Sequence, residues 1–406
     1  MDTPDNQRPT LKRSLTTPLL TLYGLGVTIG AGIYVLIGAA AARAGLYAPV
    51  SFLLAAGVVG FSGFSYSEMG TRYPVSAGEA VYVREGLRSP GLSVFVGLMV
   101  AISGIITAAT ISLGAAGYLQ NLVPLPFGVL VALVIVLLGL VALWGITESI
   151  LLAGLFTLIE IGGLVLVIVF AVRQTPDIVS RLDELVPTTP DAWPGILSAV
   201  LLAFFAFVGF EDMANVAEEV EDPPRSMPRA ILTTLIVVTI LYIAVAAAVV
   251  LAVPMETLTT SEAPLAAIFE GHGRTMALTF NVIATIATVN GILVMMIMSS
   301  RVIYGLASQG SLPSSLAFIH PVTRTPVVAT VLVVALIAVG ATLAPLATLA
   351  QTTSQIILGV FLLVNLALIG IKRRGEPAPE GVFEVPIWVP VIGALSCAGV
   401  LLAGFF

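Results

Sequence analysis

Eleven stretches of about twenty apolar residues follow one another along this 406-residue chain, and nothing constrains its fold more strongly. Inside a bilayer no water is at hand for backbone N–H and C=O groups, so each run must satisfy them within itself, as a helix. The runs cover approximately 17–41, 47–69, 91–119, 126–145, 149–172, 194–217, 228–252, 275–306, 326–345, 350–371 and 386–406. Only 10% of the residues are charged and 58% are hydrophobic, where a soluble domain carries about 25% charged residues. The expected fold class is an all-α polytopic membrane protein, a single transmembrane unit over residues 1–406. Its net charge of −6 therefore says little about partners beyond the lipid bilayer.

The basic residues give an orientation. With the N-terminus in the cytoplasm, thirteen of the 17 Lys and Arg fall on the cytoplasmic side, and Arg43, Arg173, Arg181 and Arg274 fall outside. That bias is the one cytoplasmic loops carry, and a missed helix would scramble it. The expected location is the cell membrane, multi-pass. Eleven spans leave the C-terminus outside, which raises the question of a twelfth beyond Phe406. The polar start, MDTPDNQRPTLKRSLTTP, precedes an apolar run too long for a signal-peptide core, so no cleavable leader is expected.

Five of the sixteen residues in YGLGVTIGAGIYVLIG (Tyr23 to Gly38) are Gly. An interior Gly costs a helix about 1 kcal/mol relative to Ala, so a helix that merely fills a bilayer gains nothing from them. Gly24-x-Gly26 opens like a dinucleotide fingerprint, but the next spacing is wrong, no strand precedes it and no acid follows at the required distance. Gly26-x-x-x-Gly30 also fits close helix packing. A third reading is a helix broken near Gly30-Ala31-Gly32, its freed N–H and C=O groups serving a ligand.

The sixth run supports the third reading. Its apolar half, with Phe204, Phe205 and Phe207, gives way to Gly209, Glu211, Asp212 and Asn215, then to Glu218, Glu219, Glu221, Asp222 and Pro223-Pro224. Two adjacent carboxyls within a span should face a cavity or a partner; the alternative ends the helix at Phe210 and leaves the acids in water. Runs one and six hold corresponding places in two five-helix halves, about 15–172 and 194–371, with an extra helix at about 386–406. Paired interruptions of this kind point to an inverted-repeat transporter with its site at mid-bilayer. Unwound segments offer N–H groups to a carboxylate and carbonyls to an ammonium, which suits a zwitterionic amino acid.

The first run, with Gly30-Ala31-Gly32, resembles the glycine signature of the amino acid–polyamine–organocation superfamily. FFAFVGFEDMANVAEEVEDPPRSMPRAI, Phe204 to Ile231, resembles that family's sixth helix and following loop. So do the stretch Arg301 to Pro313 after the eighth run, Tyr66 to Pro74 after the second, and Thr325-Pro326 opening the ninth. The resemblance implies the five-plus-five inverted repeat with broken helices 1 and 6, and amino acid transport. It further implies that Ile29, Gly30, Ala31 and Gly32 hold the substrate carboxylate. The backbone of Phe207, Val208 and Gly209 would accept from its amino group, with Phe207 as a lid. Glu211 stands where the family commonly has Asp, and joins the substrate-binding set on that ground.

Glu160 lies mid-span in LLAGLFTLIEIGGLVLVIVF, with no other charge within ten residues on either side. An ionisable residue inside a membrane is a functional hypothesis by default; the plain alternative is a protonated Glu that serves packing. In proton-coupled relatives this place is often Lys, so the departure leaves proton coupling, sodium binding and pairing with a cationic substrate all open. Thr288 and Asn290 in the eighth run are expected oxygen ligands facing Glu160, against the alternative that small polar residues serve packing. The segment Gly70 to Pro90 is expected to form a short interfacial helix. Glu218, Glu219, Arg225 and Arg229 are expected to make cytoplasmic gate contacts with Arg72 or Arg84.

The functional expectation is a secondary transporter of amino acids working by alternating access, probing protons before sodium as the coupling ion. An exchanger or a polyamine carrier is the alternative, the latter kept open by Glu160, Glu211 and Asp212. A channel would need a filter motif, and an enzyme would need a nucleophile with its base; neither pattern is present. No cofactor, metal or nucleic acid is called for: His272 and His320 lack ligand spacing, and the single Cys397 excludes an intrachain disulfide.

Overall fold

The computed structural model of the protein describes residues 13, 15–29, 32–75, 78–144, 150–308, 310–323 and 325–404. Within them fourteen α-helices account for nearly all regular structure. The first run is covered by α1 (Thr17–Ile29) and α2 (Gly32–Ala44), and the second by α3 (Ala48–Arg72). The interfacial helix expected before Pro90 is α4 (Gly78–Leu87), followed by α5 (Pro90–Gln120), α6 (Phe127–Trp144) and α7 (Ile150–Gln174). The sixth run divides into α8 (Trp193–Phe205) and a 3-10 segment, Phe210–Glu219. Then come α9 (Pro223–Ala252), a short α10 (Met255–Thr260), α11 (Arg274–Ser308), α12 (Val327–Leu343), α13 (Leu346–Arg373) and α14 (Trp388–Ala403). Eight helical stretches among the described residues are long and apolar enough to cross a membrane, with α1, α12 and α14 as shorter apolar helices.

Local chemistry sets the helix starts. Pro90 opens α5 behind Ser89, whose hydroxyl accepts from the Leu92 N–H at 3.4 Å. Pro223-Pro224 open α9, where a missing N–H costs nothing because the first turn has no acceptor for it. At 1.5 Å per residue, α5 is about 46 Å long, more than an upright span of the hydrocarbon core needs.

The broadest helix pairings join α5 to α11 and α3 to α9, while α2 packs on α8 and α1 on the 210–219 segment. Each joins a span to the one five places on. Outside this core, α6, α12 and α14 turn large apolar side chains outward, among them Leu133, Val136, Leu140, Val331, Val339 and Leu395. A belt of that kind is tolerable only where the surrounding solvent is itself apolar.

One end of the bundle is knitted by charge. Glu68 of α3 is buried and takes Arg72 at 2.8 Å, Lys372 of α13 at 2.8 Å and the Val385 N–H at 2.8 Å. Arg72 also reaches Glu384 at 3.6 Å, and Arg84 pairs with Glu85. The expected gate contacts of Arg72 and Arg84 with Glu218 or Glu219 are thus replaced: Glu68, one turn before Arg72 on the same helix, is the nearer acid. Arg225 pairs with Asp222 at 3.9 Å, and Arg229 is exposed. At the same end Leu15 bridges the chain beyond the sixth span, donating to Glu219 C=O at 2.9 Å and accepting from Glu221 N–H at 3.1 Å.

Candidate functional site

The sixth span breaks at Ala206–Gly209, between α8 and the 3-10 segment. Gly209 sits at φ +127°, a conformation that side chains with a Cβ rarely adopt. Its N–H is taken by the Glu211 carboxylate at 2.8 Å. A carboxylate two residues on thus supplies the acceptor that the interrupted helix withholds.

Against this break lies the first span. A Cβ on Gly32, the first residue of α2, would stand 2.3 Å from Ala206 Cα, and one on Gly209 would stand 2.4 Å from the Val27 carbonyl oxygen of α1. Neither obstacle is a movable side chain, so both glycines are there to let backbones meet. Tyr242 of α9 joins the first span to the sixth-span break, its hydroxyl lying 2.8 Å from Thr28 C=O and 2.9 Å from Ala206 C=O. The ring of Phe207 leans on Tyr242 at a centroid distance of 5.2 Å. Ile29 and Phe207 are buried and Val208 is half-buried. Gly30 and Ala31 lie outside the described residues. Added Cβ atoms on Gly24 and Gly26 would strike the side chains of Met213 and Thr157.

At the sixth-span break the C-terminal end of α8 presents carbonyl dipoles, which suit a positively charged group with no charged side chain needed to hold it.

Glu160 of α7 is fully buried. Its Oε1 accepts from Asn290 Nδ2 of α11 at 3.1 Å, and its backbone C=O accepts from the Tyr34 hydroxyl of α2 at 2.6 Å. Tyr34 C=O in turn accepts from Tyr118 of α5 at 2.5 Å. The backbone of Glu160, not its carboxyl, is therefore tied to α2 two residues beyond its start. Thr288 does not join it: its hydroxyl turns back to Ala284 C=O at 3.0 Å and Thr285 C=O at 2.9 Å. Residues two apart on a helix point about 200° apart, so Asn290 and Thr288 cannot face one partner together.

Glu211 and Asp212 are 5% and 3% exposed, which rules out acids left in water past a helix end. They share their surroundings with Glu79 of α4 and with Tyr66 and Tyr82, all buried. Burial pushes the Glu79 carboxyl up to about 8, the charge of Glu211 adding to it and a bond from its own backbone N–H opposing it. A cavity of about 10 Å³ touches Glu211, Asp212, Val208, Ser103 and Thr107, room for about one water. Aromatic clusters close the centre on two sides. Tyr34, Tyr118 and Phe269 gather round Phe280, while Tyr66, Phe204 and Phe210 gather round Phe361.

Sequence reasoning missed Tyr242, Tyr34 and Glu79. The first two carried a usable signal, a lone hydroxyl deep in an apolar run, which needs a partner when buried. Glu79 carried none, because a Glu in a short polar helix reads as a solvated residue.

The chain matches the family described as amino acid permease over residues 15–406. It is 29% identical to the branched-chain amino acid permease BcaP of Bacillus subtilis, over 95% of this chain and 86% of that protein. It is 28% identical to the methylthioribose transporter of the same bacterium, over 97% and 87%. With the chloroplastic cationic amino acid transporter 9 of Arabidopsis thaliana it shares 31%, over 74% of this chain and 56% of that one.

Proposed function

The chain belongs to the amino acid permease family, and on that premise we propose that it carries amino acids across the cell membrane by alternating access. The observation that carries this reading is the close backbone approach of the first span to the interrupted sixth, Gly32 on Ala206 and Gly209 on Val27. The substrate carboxylate sits at the start of α2, on the backbone of Ile29, Gly30, Ala31 and Gly32. Its ammonium sits on carbonyls around Phe207, Val208 and Gly209, with Phe207 as cover. Glu211 keeps the second interruption in shape through its bond to the Gly209 N–H. The two five-helix halves, about 15–172 and 194–371, rock about this centre, and the N-terminus and the Glu68 clamp face the cytoplasm. Pairings between spans five places apart support that arrangement.

Coupling to protons runs through Glu160. Its carboxyl accepts from Asn290 of α11, and its backbone C=O accepts from Tyr34 of α2, so a change in its charge acts directly on α11 and beside the point where α7 holds α2. The relatives that carry branched-chain amino acids and methylthioribose leave the side-chain class of the substrate to experiment. Purified protein in liposomes is offered labelled neutral, cationic and acidic amino acids and putrescine, with and without an inward proton gradient. One amino acid class should accumulate only with the gradient, and Glu160→Gln should lower accumulation at least about tenfold while sparing exchange. Normal accumulation by the variant makes Glu160 a packing residue. Transport of putrescine alone overturns the amino acid reading.

A further inference from the structure

Three buried carboxyls, those of Glu79, Glu211 and Asp212, share one region of the interior and act on one another's charge. Among the described residues no Lys or Arg acts on them. Neither α1 nor α5 carries a charged residue. On α9, Arg225 and Arg229 are exposed, and on α13 Lys372 is held by Glu68. The groups that do face the acids are Tyr66 of α3 and Tyr82 of α4. Both hydroxyls are buried and have no hydrogen-bond partner among the described residues, and neither do Glu79 Oε1 and Asp212 Oδ2. Buried carboxylates without a cation are costly, and three together also repel, so the stable state is one in which protons occupy them. Glu211 accepts from the Gly209 N–H and is the member best suited to remain ionised, which leaves Glu79 and Asp212 to carry the protons. Among the described residues no three His, Cys, Asp or Glu side chains converge closely enough to ligate a metal ion.

We propose that Glu79, Glu211 and Asp212 form a second proton-binding site, separate from Glu160, that holds α4 against the 210–219 segment while protonated. When that flank is wetted, Glu79 and Asp212 give their protons to water. The carboxylates left behind repel, and the segment after the sixth-span break swings from α4. The one-water cavity at Glu211 and Asp212, with Ser103 and Thr107 on its wall, is the first station for the departing proton. The opening step rests on the transport reading above; the protonation of the cluster does not.

Two measurements on the full chain in lipid test this. Infrared spectra recorded from about pH 6 to about pH 10 follow the carboxylic acid C=O band, with Glu160→Gln to subtract that residue's share. Near neutrality, Glu79→Gln and Asp212→Asn should each remove a distinct part of the band. If neither does, the cluster is ionised and the proposal falls. The second measurement is amino acid exchange without a gradient. It should rise roughly tenfold in the wild type as pH passes upward through the range where Glu79 loses its proton, and Glu79→Gln should flatten that rise. A variant merely slowed at every pH, with the profile kept, assigns Glu79 a structural role and overturns the opening step. Should no amino acid exchange at any pH, the transport reading has failed, and the infrared result still decides the proton site.

Discussion

A hydrogen atom in place of a methyl group is what allows the first span to touch the broken sixth. At Gly32 an added Cβ meets the Ala206 backbone at 2.3 Å, and backbone held between two helices has no rotamer through which to escape. Gly32→Ala should therefore abolish uptake in liposomes. Gly162→Ala on α7, where an added Cβ meets open space, should leave uptake intact and shift stability by less than about 1 kcal/mol. Equal loss in both variants would mean that helix propensity rather than contact explains Gly32. At this scale the sequence was informative wherever a residue is costly in its own right. Gly in a span, Glu160 without a neighbouring charge, and Glu211-Asp212 in an apolar run all mark themselves. Glu79 does not, because its cost arises only from what α3 and the 210–219 segment lay over it. The choice of Asn290 over Thr288 as partner of Glu160 is of the same kind, set by the rotation of α11 about its axis.

Among the elements, α3, α13 and the connector to α14 depend on one carboxylate. Glu68 holds Arg72, Lys372 and the Val385 N–H while fully buried. Glu68→Gln keeps the shape and leaves two cations without their counter-charge, which costs about 3–5 kcal/mol for a buried pair. The melting temperature of the purified variant should fall accordingly. An unchanged melt would show that Glu384 takes over Arg72, at present 3.6 Å away. The interruption of the sixth span was legible, since Gly209, the acids and Pro223-Pro224 each oppose a continuing helix. The clamp was not: Arg72 lies near several acids in the sequence, and packing selected Glu68 rather than Glu218 or Glu219.

The whole molecule presents an apolar belt to its surroundings. The orientation proposed from the distribution of Lys and Arg, with the α4 end in the cytoplasm, can be read by labelling. In right-side-out vesicles an impermeant maleimide should modify Asp191→Cys, an exposed site beside α8, and spare Glu380→Cys until the membrane is opened. The native Cys397 is buried against Ser62 at 3.6 Å and should stay silent. Labelling in the reverse order would invert the proposed orientation. The sequence by itself determined that this chain is helical, how its spans divide, and where one of them breaks. Those properties follow from each segment's own need to satisfy its backbone in lipid, and local composition records that need. Only the tertiary structure decided that Gly32 lies on Ala206, that Tyr242 joins the first span to the sixth, and that Glu79 meets Glu211 and Asp212. Such meetings depend on the rotation and neighbours of each helix, which are set by packing among segments far apart in the chain.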